Sequence, residues 1–261
     1  VPTDFPLLKP QQRPCRDRQA DRRLRWLAAL PCALLVACGP VREAADQTAT
    51  HSSDVRPVLL KLGARSLAVP RNCLDMPIGT PATAGAEIVE EALLIAMLLP
   101  DLECRTPENT AHFGKTGATK PGLFVLIHSV NPTLGVDGAL RRSYRFETED
   151  HPGYIPGSIN RVAPDQVTLL RKKYLANGYR RVAVDVIGSA SDGTFVVCTR
   201  SAAGGGVNGS DSVPMCRQYF GDGGLYVKAS YGRAWLDRHE AIRAGVVEKI
   251  KSFAGAQNAR P

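Results

Sequence analysis

Period-two alternation is clearest in the last third of the chain. Leu225, Val227 and Ala229 alternate with Tyr226, Lys228 and Ser230, so Leu225–Tyr231 reads as a strand with one buried face. Ahead of it lie two short β-rich runs, Thr194–Thr199 and Pro214–Phe220. They lead into Gly221-Asp222-Gly223-Gly224, a turn whose glycines accept positive φ. From Arg233 to Phe253 the period lengthens. Trp235, Ile242, Val246 or Val247, Ile250 and Phe253 then line one helical stripe. Upstream, Val182, Val184 and Val186 alternate with Ala183 and Asp185, which predicts a strand over Arg181–Ile187. Leu123–His128 is a continuous apolar run after Pro121-Gly122, the pattern of a buried strand. Glu91–Leu99 is apolar and ends at Pro100. Periodicity does not separate helix from strand there, but the run Leu123–Val130 is a natural strand partner. Ser143–Thr148 sets Tyr144, Phe146 and Thr148 against Arg145 and Glu147, which predicts a half-buried strand. The expected fold class is α+β: a mostly antiparallel β-sheet with a C-terminal helix packed on it.

The N-terminal pattern is of another kind. Arg22, Arg23 and Arg25 precede a short apolar run, Trp26 to Ala37, and small residues lead directly to Cys38. Positive charge, apolar core and cleavage residues in that order describe a signal peptide. The run is too short for a permanent membrane span. Leu35-Val36-Ala37-Cys38 resembles the lipobox of the bacterial lipoprotein precursors. That resemblance implies cleavage before Cys38 and diacylation of its thiol, leaving a mature chain of Cys38 to Pro261 on a membrane. Residues 1–37 are then leader, residues 38–54 a polar tether, and residues 55–261 a single periplasmic domain. Gly39 stands where the aspartate that retains enteric lipoproteins at the inner membrane would be, which points to the outer membrane.

Removing the leader changes the charge and the cysteine arithmetic. The formal net charge is +8, but residues 1–37 hold seven Lys/Arg against three Asp/Glu. The remainder is mildly basic with scattered charge and no nucleic-acid motif, so no nucleic-acid partner is expected. Cys15 and Cys32 leave with the leader and Cys38 takes the lipid. That leaves Cys73, Cys104, Cys198 and Cys216 in a compartment that permits disulfides. Of the connectivities open to them, Cys73–Cys104 with Cys198–Cys216 is the expected pairing. The second bridge would close a hairpin around the Gly/Ser-rich stretch Ser201–Ser212 and stabilise it by about 3 kcal/mol. The spacings are too long for a thiolate zinc site, and neither metal nor cofactor is expected.

No catalytic set emerges. There is no Gly-x-Ser-x-Gly elbow; Gly188–Gly193 sits between two strands and reads as a hairpin turn. His239-Glu240 lacks the second histidine of a zincin helix. His128 ends a strand, where a structural role is the simpler reading. Adjacent Glu90 and Glu91 point to opposite sides of a strand, while Glu147 and Glu149 fit a solvated edge.

One charged constellation follows the apolar run at Leu99: Asp101, Arg105, Glu108 and Asn109, next to Cys104. It reads either as a rigid loop offering charge to a partner or as a local Arg105–Asp101 or Arg105–Glu108 ion pair. Thr106-Pro107 also fits a helix start. The Pro-Asp-Leu…Arg-Thr-x-Glu-Asn pattern, with the terminal meander and Trp-containing helix over Leu225–Phe253, resembles the immunity lipoproteins that protect bacteria from type VI secreted lipase effectors. The resemblance covers about half of the mature chain. It implies a membrane-anchored protein that binds an incoming phospholipase and blocks its active site or its lid. The resemblance carries over no binding residue; Asp101, Arg105 and Glu108 of the charged loop are the expected contacts. The alternatives are an envelope hydrolase with an unfamiliar site and a structural or secretion-associated lipoprotein.

Overall fold

The computed structural model describes residues 53–75, 86–113, 119–175, 178–200 and 214–255, with no account of the Leu175 side chain. The leader, Cys38, the tether up to residue 52 and the stretch Ser201–Ser212 lie outside the described residues. All those described belong to one compact unit.

The fold is α+β, built on antiparallel sheet. Among the described residues a three-stranded sheet has the order β2-β1-β3 and an eight-stranded sheet the order β4-β5-β11-β10-β9-β8-β7-β6. The small sheet comprises β1 (Pro57–Leu62), β2 (Arg65–Pro70) and β3 (Ile88–Glu90). The large one comprises β4 (Ala92–Leu98), β5 (Gly122–Ser129), β6 (Asn160–Ala163), β7 (Gln166–Leu175), β8 (Gly178–Ser189), β9 (Thr194–Thr199), β10 (Met215–Asp222) and β11 (Leu225–Gly232). β4 pairs antiparallel with β5, Ile95 opposite Val125. The apolar run before Leu99 is thus a strand, but a bend at Glu91 divides its approach: β3 joins the small sheet and β4 the large one.

The alternation of the strands sorts the large sheet into two faces. On the first, Leu93, Ile95, Leu123, Ile127, Phe220, Val227 and Tyr231 are buried with Leu60, Leu67 and Val69 of the small sheet. Helix α2 (His239–Gly255) completes this core with Ile242, Val246, Ile250 and Phe253, the stripe read from its period. A 3-10 segment, Arg233–Arg238, leads into it, and Trp235 Nε1 donates to the Lys120 carbonyl at 3.2 Å. On the second face, helix α1 (Gly135–Arg145) covers Leu169, Val184, Val186, Phe195, Val197 and Tyr219, with Leu140 as its buried contact. At the β4–β5 edge, Ala96, Leu98 and Phe113 form a separate cluster on this side.

The expected strand at Ser143–Thr148 is overturned. Those residues end α1 and enter a π-helical turn, Phe146–Asp150. Within the widened turn two consecutive side chains, Glu147 and Thr148, are buried, where a strand would turn them to opposite faces. Gly188–Gly193 is a hairpin turn, with a 3-10 segment at Ala190–Asp192 held by reciprocal bonds of Ser189 and Asp192.

Candidate functional site

The loop between β4 and β5 holds the charged constellation, and its backbone is fixed from several directions. Cys104 is disulfide-bonded to Cys73, and Cys198 to Cys216 across β9 and β10. Leu102 takes φ of 56°, a conformation costly for a branched side chain, and is buried in the main core. Arg105 donates its backbone N–H to Asn72 O at 3.1 Å, while Asn72 Nδ2 donates to the Arg105 carbonyl at 2.7 Å. Thr106 N donates to Asn109 Oδ1 at 2.7 Å, and Asn109 N donates back to Thr106 Oγ1 at 3.3 Å. In place of a helix start, this reciprocal pair closes a turn that precedes a single 3-10 segment, Thr110–His112.

The sequence-derived contact residues separate here. Asp101 and Glu108 are exposed, as is Glu103. The Glu108 carboxyl is held below its usual range by its own backbone N–H and by the Thr106 hydroxyl. Arg105, by contrast, is only 4% exposed. Its guanidinium sits 4.5 Å from the centre of the Phe113 ring and 3.6 Å from Asp75, not on the local carboxylates considered above. Arg105 therefore braces the loop from beneath. Leu98, Asp101, Glu103, Asn109 and His112 bound a depression of about 290 Å³.

A second site was missed by sequence reasoning. Glu147, expected on a solvated edge, is 1% exposed and sits at the centre of a polar network on the α1 side of the large sheet. Its Oε2 accepts from Arg171 at 2.8 Å and from Arg217 at 3.1 Å. Its Oε1 accepts from the Tyr219 hydroxyl, and the Glu147 carbonyl accepts from Arg171. Desolvation alone would raise this carboxyl. The Arg217 charge, the Tyr219 hydrogen bond and Arg171 outweigh it, so Glu147 is held below the usual range. Burial pushes the Tyr219 phenol upward. Phe195 stacks on Tyr219 at 4.6 Å, and Ser143 and Tyr226 share a hydrogen bond of 2.6 Å that ties α1 to β11.

Beside this network a cleft of about 340 Å³ opens, with His128, Arg142, Phe146 and Lys228 among its lining residues. His128 is kept below its usual value by desolvation and by Lys228. Lys228 is itself depressed by desolvation and by Arg217. No sequence signal pairs these groups, since Glu147 and Tyr219 are 72 residues apart.

A third polar centre lies under the other face. Asp185, fully buried, accepts from Arg200, Arg233 and Thr168. It clamps β8 to the segments that follow β9 and β11. Among the described residues no group of three His, Cys, Asp or Glu is placed to hold a metal, and no helix is long and apolar enough to cross a membrane.

No family model matches the chain, and no curated protein matches it. Two solved structures are similar over 78% of this chain and 95% of their own. One is Smlt3025, an immunity protein of the Stenotrophomonas maltophilia type IV secretion system, at 15% identity and a TM-score of 0.48. The other is FrpD, an iron-regulated outer membrane lipoprotein of Neisseria meningitidis, at 13% identity and a TM-score of 0.42. At that identity and overlap neither decides what this chain does.

Proposed function

We propose that this chain is a lipoprotein held through Cys38 on the periplasmic face of a membrane, with a domain that binds and neutralises a secreted antibacterial effector. The observation that carries the reading is the described first part of the β4–β5 loop, residues 99–113. Disulfide, buried guanidinium, core-embedded Leu102 and paired Thr106–Asn109 bonds all fix it, yet it turns three carboxylates outward. A loop ordered before encounter loses little entropy on binding, which suits an inhibitor. Asp101 and Glu108 are the proposed contacts, and Arg105 acts by holding them in place. The finer assignment follows the sequence resemblance: the effector is a phospholipase delivered by a type VI system, and the membrane is the outer one.

A hydrolase reading finds less support. Glu147 accepts from three side-chain donors and is held ionised, which suits structure better than proton transfer. His128 has no hydrogen-bond partner among the described residues.

The test is a pull-down with the leaderless Cys38→Ser domain against the products of neighbouring genes and an envelope extract. Recovery of one secreted lipase, with hydrolysis abolished at equimolar domain, is the expected result. Recovery of nothing, or of envelope machinery alone, overturns it.

A further inference from the structure

We propose that the cleft beside Glu147 binds an amphiphilic oxyanion: a carboxylate or phosphate group seated against Lys228 and Arg142, with its apolar portion along Leu126, Phe146 and Tyr226.

The register places the cations. Lys228 on β11 lies opposite Tyr219 on β10, and Arg217 stands two residues from Tyr219 on the same face. The two positive side chains are thus diagonal neighbours, about 7–8 Å apart at the backbone. Arg142 joins them from α1. The carboxylate at this spot, Glu147, already serves Arg171, Arg217 and Tyr219 through its two oxygens. The nearby Arg145 is the ion-pair partner of Glu149 and Asp150, so these acids are engaged as well. The Lys228 side chain is left half-buried with no hydrogen bond among the described residues, and in the lining of the cleft Arg142, Arg217 and Lys228 face the single carboxylate of Glu147. Such an arrangement raises the free energy of the empty site, and an anion relieves it.

The walls favour an anion that carries a chain. The Ser143–Tyr226 hydrogen bond draws helix and sheet together on one side. Gly221 lets Val136 of α1 approach still closer, since a Cβ there would lie 2.3 Å from Val136 Cγ1. Phe146, 46% exposed at the start of the π turn, stands at the mouth, and Leu126 contributes to the lining. The volume of about 340 Å³ lies within the range of small-ligand sites. None of the residues bounding this cleft bounds the depression lined by Asp101 and Glu103, so the proposal stands apart from the effector reading.

The experiment titrates the Cys38→Ser chain with octanoate, octyl phosphate, inorganic phosphate and the neutral octyl glucoside, following amide shifts and melting temperature. Saturable binding of octanoate or octyl phosphate is expected, and the tighter of the two identifies the headgroup. Lys228→Met weakens that binding by about tenfold or more, the loss of one charge-assisted contact. Arg142→Gln, on an exposed helix position where folding is not at stake, also weakens it. The proposal is overturned if neither anion binds saturably, if octyl glucoside binds as well as they do, or if both variants bind like the parent. Inorganic phosphate binding as tightly as octyl phosphate refutes the apolar half of the site.

Discussion

Glu147 accepts from three side chains on two strands: Arg171 on β7, and Arg217 and Tyr219 on β10. Removing the charge strands Arg171, itself 5% exposed. Glu147→Gln is therefore expected to destabilise the domain by about 3–5 kcal/mol, the cost of breaking a buried pair from one side. The pH dependence has a definite sign. In the unfolded chain a glutamate titrates near about 4.3, and in the folded domain Glu147 titrates lower. Between those values the unfolded state binds more protons, so stability rises with pH across the window. The contribution of the network is complete above about pH 4.3 and is lost as pH falls through the folded value. Asp185 follows the same rule, because Arg200, Arg233 and Thr168 outweigh its desolvation. Urea unfolding between neutral and acidic pH should show a steep acid loss in the parent and a shallower one in Glu147→Gln. Parallel curves would show that Glu147 is not held low.

At the scale of elements, what was legible depended on whether one period governed a segment. β11 alternates in sequence and in burial, β8 alternates in its valines, β5 is one continuous apolar run, and α2 keeps its stripe. The segment after Gly135 changes rule partway. Val136, Leu140 and Tyr144 recur every four residues on the packed face of α1, but the alternation over Ser143–Thr148 masked that period, and the π turn after Arg145 then breaks it. β7 also hid, because its inward-facing position 171 is an arginine whose burial makes sense only once Glu147 is known. Arg105 misled for the same reason: its partners Asp75 and Phe113 come together only in the fold. Helix α1 offers a test of how tightly these elements dock. Gly221 on β10 is where Val136 presses down, so Gly221→Ala should overpack the contact and cost about 1–3 kcal/mol. Val136→Ala in the same chain should recover part of that loss, giving a non-additive cycle in denaturant unfolding. Simple additivity of the two changes would mean that α1 does not seat on Gly221.

For the molecule as a whole, the lipid address and the acidic loop make separable demands. Under the proposed function, Cys38 sets where the domain is and the loop sets what it meets. Cys38→Ser is accordingly expected to move the protein from the membrane fraction to the soluble one, and to abolish palmitate labelling, without changing the affinity of the domain for its effector. The charge of the loop acts in the opposite way. Asp101→Lys with Glu108→Lys leaves location alone and gives up only the local bonds of Glu108 to Thr106 and its own N–H, since both side chains face solvent and Arg105, Leu102 and the Cys73–Cys104 bridge still hold the backbone. What changes is encounter. Reversing exposed charges at the edge of an interface chiefly lowers the association rate, by about tenfold at low salt, and the deficit shrinks as salt screens the field. Measuring association of the recovered effector across a salt series separates this from a folding defect, which would lower the active fraction at every ionic strength. An unchanged rate in the double variant would place the binding face elsewhere on the domain, and an unchanged location of Cys38→Ser would remove the anchor from the account.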